Sequence, residues 1–159
     1  MSNGKISKNI VDNSDKGMAL YSCNNNTICR NNITNNARKG IFLYDSLDNV
    51  IYLNNFINNP VHANDRSHNK WDNGKQGNHW DDYSGVDANS DGIGDSPYNI
   101  PGGDNQDKYP LMAPYQGRII LDDYYVDQDL VQTILIVGII FASIFCIPIG
   151  LWWRKKYFK

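Results

Sequence analysis

Between Asp87 and Asp95 the chain reads Asp-Ala-Asn-Ser-Asp-Gly-Ile-Gly-Asp. Side-chain oxygens stand at alternate positions in Asp87, Asn89 and Asp91, Ile93 offers a backbone carbonyl, and Asp95 closes the set. With Gly92 and Gly94 permitting a tight turn, this alternation wraps hard oxygen donors around one cation and points to Ca²⁺. It is not an EF-hand. The twelfth position from Asp87 holds Tyr98 instead of a bidentate Glu, and the flanks lack helical periodicity. Asp81 and Asp82 lie close enough in sequence to complete the ligand set. The competing reading is an Asx-rich turn cluster in which the same residues shape loops without an ion. Carboxylates packed this closely repel one another unless something neutralises them, which favours the ion.

Trp71, Trp80 and Tyr83 sit around this loop, together with His79, Tyr98, Tyr109 and Tyr115. Such rings either form a sugar-stacking platform or fill the interior of a segment poor in aliphatic residues, and the second role is favoured. Glycoside cleavage would need two facing carboxylates, one kept protonated. Asp45, Asp48, Asp81 and Asp82 are the nominees, but Asp45 and Asp48 fall where turns are expected. No nucleophile motif or phosphate-cradling glycine loop is present, so the chain reads as non-catalytic. His62, His68 and His79 are scattered, and Met18 and Met112 are far apart, so no copper-ligand cluster is visible.

The elements that must position these residues follow from a repeat. Asn9-Ile10, Asn32-Ile33 and Asn55-Phe56 recur at a period of 23, as do Gly17-Met18 with Gly40-Ile41 and Leu20-Tyr21 with Leu43-Tyr44. A fixed period in the twenties with short apolar alternation predicts a solenoid. Each period should form one coil of a parallel β-helix over residues 1–60, with Ile6, Ile10, Leu20, Cys29, Ile33, Leu43, Tyr52 and Phe56 stacked inside. Asn9, Asn32 and Asn55, and likewise Asn3, Asn26 and Asn49, should form amide ladders along the coil axis. The last coil would expose a strand edge, and residues 61–117 are placed to cap it. Two and a half coils are few for a solenoid, and no secretory leader is visible at the N-terminus, so further coils are expected before Met1.

All 17 acidic residues are Asp, which favours turns over helices in this part of the chain. The net charge of −2 and scattered basic residues argue against nucleic acid as a partner. Residues 118–129 read as a juxtamembrane linker. From Leu130 to Trp153 no residue is charged; at ~1.5 Å per residue this gives roughly 36 Å of helix, enough to span a bilayer. Arg154, Lys155, Lys156 and Lys159 follow it. The Lys/Arg excess therefore assigns residues 154–159 to the cytoplasm and the N-terminal part to the outside of a single-pass membrane protein. Cys146 lies in the span, and a Cys23–Cys29 disulfide stays open. Asn25 heads a glycosylation sequon, Asn25-Asn26-Thr27.

The repeats, followed by GNHWDDYSGVDANSDGIGDSPYNIPGG and then DKYPLM, resemble the NosD-like right-handed parallel β-helix proteins, many of them on archaeal and bacterial cell surfaces. The resemblance spans roughly residues 3–115. It implies an all-β, right-handed parallel β-helix with an extracytoplasmic location, and the name-giving protein of the group assists copper delivery to nitrous oxide reductase. The expectation is a membrane-anchored β-helix end with a loop-rich cap, stabilised by Ca²⁺, contacting a carbohydrate or a surface protein. Copper handling and a polysaccharide lyase or hydrolase fragment are the alternatives.

Overall fold

The computed structural model describes residues 2–116, together with the backbone of residues 120–121 and 124–125. Two units are separable, residues 1–116 and 117–159. In the second, β13 (Ile120–Leu121) pairs antiparallel with β14 (Tyr124–Tyr125). The expected span at 130–153 and its basic tail lie outside the described residues. No helix of the described residues is long and apolar enough to cross a membrane.

The first unit is an all-β parallel solenoid of about three turns. Coil one carries β1 (Lys5–Ser7), β2 (Ile10–Asp12) and β3 (Lys16–Tyr21). Coil two carries β4 (Thr27–Cys29), β5 (Asn32–Thr34) and β6 (Lys39–Tyr44), and coil three β7 (Val50–Tyr52), β8 (Asn55–Ile57) and β9 (Ala63–Asp65). They stack into three parallel sheets, β1-β4-β7, β2-β5-β8 and β3-β6-β9. The parallel pairing continues past residue 60. β10 (His79–Trp80) adds to β8, and Lys70 bridges to Val50. β11 (Tyr98–Asn99) and β12 (Gln106–Asp107) then form a short antiparallel pair.

The corners explain the Asn/Asp-rich composition. A positive φ recurs at Asn3, Asn25 and Asp48, at Asn13, Asn35 and Asn58, and at Ser22 and Asp45. Asn and Asp tolerate this left-handed conformation better than other non-glycine residues. The repeat is less strict than its letters suggest. Ile6 pairs with Ile28 and Ile10 with Asn32, offsets of 22, whereas Lys16 pairs with Lys39. The corner from β5 to β6 holds one residue more than that from β2 to β3, so the period of 23 misplaces the start of coil one. A one-residue slip inverts the pleat. Ile10, expected inside, is 78% exposed, and its neighbour Val11 pairs with Ile33 over the core instead. Tyr52, also expected inside, is only half-buried; Ile28 and Ile51 occupy that layer of the core and are fully buried.

Asparagine ladders run the length of the solenoid. Asn9, Asn31 and Asn54 each donate both backbone N–H and side-chain Nδ2 to the Oδ1 of the next residue in the series, which ends at Asn78. A second ladder joins Asn26, Asn49 and Asn69, and a third joins Asn36 to Asn59. The expected Asn3 is replaced in the second by Gly4, whose N–H meets Asn26 Oδ1. Asn32 and Asn55 are joined by a separate amide contact, Asn55 Nδ2 donating to Asn32 Oδ1 at 2.7 Å. Because every ladder amide donates in the same direction, each ladder needs an acceptor at its end. Asp107 Oδ2 accepts from Asn78, and Asp65 accepts from Asn69. In the third, Asn59 Nδ2 faces His62 Nδ1 at 3.5 Å.

Candidate metal centre

His62 stands where the third ladder stops, just before β9, and is buried against the Trp80 ring at 6.2 Å between centroids. Its Nε2 lies 2.7 Å from Asp81 Oδ1 and 3.4 Å from Asp82 Oδ1. The carboxylates follow directly on β10, the strand that seats Trp80 over Phe56 with the rings 4.4 Å apart. The other Asp81 oxygen accepts the Asn58 N–H at 2.6 Å, and the other Asp82 oxygen accepts the Tyr98 hydroxyl at 3.2 Å. Burial and the neighbouring Asp82 push the Tyr98 hydroxyl well above its ordinary value, so it stays a hydrogen-bond donor. One ligand atom from each of His62, Asp81 and Asp82 falls within 4.8 Å of the other two, the one such group of three among the described residues.

The donor set is one imidazole nitrogen and two carboxylate oxygens. That combination suits a borderline divalent ion, and Cu²⁺ stands highest in the divalent affinity order. Thiolates are absent from the group, so it is not built for Cu⁺. The ladder also ends beside the imidazole. Asn59 Oδ1 accepts from Asn36, which leaves Asn59 Nδ2 turned toward His62 Nδ1. Asp82 is the accessible side of the site, its side chain 59% exposed against 5% for His62.

The predicted calcium loop has a different organisation. Asp87 accepts the N–H groups of Asp91 and Gly92, Asn89 accepts that of Asp91, Asp91 that of Ile93, and Asp95 that of Ala88. The bonds accepted by Asn89 and Asp91 span two residues and are Asx turns, whereas those accepted by Asp87 and Asp95 reach four to seven residues across the loop. Asp81 and Asp82, expected to complete the loop, pair with His62 instead. Trp71 and Trp80, nominated for stacking, are fully buried, their indole N–H groups donating to Asp65 and Asp107. Tyr83 is half-buried and donates to the Ser96 carbonyl at 2.6 Å. The two indoles are interior filling, not a platform. Asp45 and Asp48 are exposed at left-handed corners, Asn25 is exposed at another, and Cys29 is buried while Cys23 is half-buried.

His62 was not singled out by sequence reasoning, although a signal existed. Asp81 falls 23 residues after Asn58, the same step that relates the coils, and contacts it. A family model described as periplasmic copper-binding protein (NosD) matches residues 1–85, more than half of the chain. Searches of the curated proteins and of the solved structures give no match.

Proposed function

This chain belongs to the NosD family, and from that premise we propose that it is a non-catalytic, extracytoplasmic solenoid that binds Cu²⁺ through His62, Asp81 and Asp82. The observation that carries the reading is the convergence of a buried imidazole and two carboxylates at the end of the solenoid. The family description names a periplasmic copper-binding protein. Ca²⁺ at Asp87–Asp95 gains no comparable support, because the family description names copper and not calcium. Residues 61–116 serve in this reading as a cap over coil three, and residues 130–153 as the membrane anchor.

The test is Cu²⁺ binding to the full chain in mild detergent, by competition with a chelator and by electron paramagnetic resonance. The expected signal shows hyperfine coupling from a single imidazole nitrogen. Asp82→Asn should weaken the affinity by at least about tenfold while leaving the thermal melt in place, since that side chain is exposed. Unchanged Cu²⁺ affinity in both Asp82→Asn and His62→Asn sinks the assignment.

A further inference from the structure

The outer face of the β3-β6-β9 sheet carries an aromatic strip that the copper reading does not use. Leu20, Ile41 and Leu43 point into the core, so the alternate residues of the same strands face outward. Tyr21 and Tyr44 pair across β3 and β6, and Phe42 lies between Ala19 and Asn64 in register. The tyrosines are 55% and 45% exposed. Ring centroids are 5.8 Å apart for Tyr21–Phe42, 6.3 Å for Tyr21–Tyr44 and 6.4 Å for Phe42–Tyr44, the last pair stacked. Two ammonium groups flank the strip, Lys39 Nζ at 4.6 Å and Lys16 Nζ at 5.6 Å from the Phe42 centroid.

We propose that this strip is a glycan-binding site for acidic polysaccharide, with pyranose rings stacked on Tyr21 and Tyr44 and uronate carboxylates paired with Lys16 and Lys39. Tyrosine presents an apolar face for sugar C–H groups and a hydroxyl for their oxygens, at little cost in side-chain ordering. A partner protein with an apolar anchor would be met by a concave pocket, whereas this is a narrow row of ring faces edged with positive charge. The nearby Asp15 is already held by Arg38. Asp45 sits at the far corner beyond Tyr44, so the anion is seated at the lysine end. Asn64, beside Phe42, holds an Oδ1 without a hydrogen-bond partner.

The experiment is calorimetric titration of the full chain in mild detergent with polygalacturonate oligomers, using dextran as the neutral control. Binding of polygalacturonate and not dextran is expected, weakening with added salt. Tyr44→Ala should raise Kd roughly tenfold, given the size of a single aromatic stacking contribution, whereas Tyr44→Phe should keep most of the affinity. Lys39→Gln should weaken binding and flatten the salt dependence. Unaltered circular dichroism spectra keep these comparisons about the surface. No binding of polygalacturonate by the folded chain overturns the proposal. So does binding that Lys39→Gln lowers but Tyr21→Ala and Tyr44→Ala leave intact, or self-association that those two variants abolish without any glycan affinity.

Discussion

Asp107 shows how one side chain ends a polar chain inside the protein. Its carboxylate accepts from Asn78 N–H at 2.6 Å, from the Trp80 indole at 3.0 Å and from Tyr109 N–H at 3.1 Å, and it is wholly buried. Gly77 is required beside it, because a Cβ there would collide with the carboxylate. Burial pushes its pKa up from 3.8 to about 6, against donors that pull it down. Since the folded value lies above the unfolded one, the stability from protonated Asp107 is complete below about pH 3.8 and lost as pH rises through about 6. At ~1.4 kcal/mol per tenfold in proton affinity, the loss is about 3 kcal/mol. Urea unfolding at pH 4 and pH 7 measures it: the stability of the natural chain relative to Asp107→Asn should fall by about that amount between the two. An equal difference at both pH values would show that the carboxyl titrates normally.

The ladders are the elements that hold the coils in register, and Asn54 is their most connected residue. It receives both N–H groups of Asn31, sends its Nδ2 to Asn78 Oδ1 and to the carbonyls of Ile28 and Tyr52, and is fully buried. Asn54→Ala leaves Asn31 and two carbonyls short of partners in a low-dielectric interior. With about 1–3 kcal/mol for each buried group left unpaired, the loss should be about 3 kcal/mol or more. Asn24→Ala at the half-buried rim serves as the comparison, and equal losses in chemical denaturation would mean that the ladders carry no special weight. Much of this layer was legible in the sequence, because stacked coils repeat both apolar and amide positions. What escaped was the one-residue difference in corner length, since Ile10 and Val11 are equally apolar and only the pairing decides which faces inward. His62 escaped for a related reason: its partners come from β10, a strand formed after the regular repeat has faded, and the nominated rings turned inward because this end of the solenoid has few aliphatic residues to fill it.

At the scale of the whole solenoid, stability must be graded along the axis, because each coil is held only by its neighbours. Coils two and three have neighbours on both sides. The far end is closed by the stack Phe56, Trp80 and Tyr98, with ring separations of 4.4 Å and 4.3 Å. Coil one has a neighbour on one side only among the described residues, and its core residues Ile6, Val11 and Met18 stay partly open while Ile28, Ile33 and Ile51 are at 0% exposure. An apolar cavity of about 510 Å³ lined by Ile6, Val11, Met18 and Leu20 marks the open end. Hydrogen exchange should therefore find the amides of β1 and β2 the fastest of the strand amides, and those of β4, β5, β7 and β8 the slowest, at rates set by opening of the whole unit. Trp80→Ala, which removes the centre of the closing stack at a cost of about 3–5 kcal/mol, should speed exchange in β8 more than in β1. If β1 and β2 exchange as slowly as β7, coil one is covered by something other than the described residues, and its apolar end is an interface.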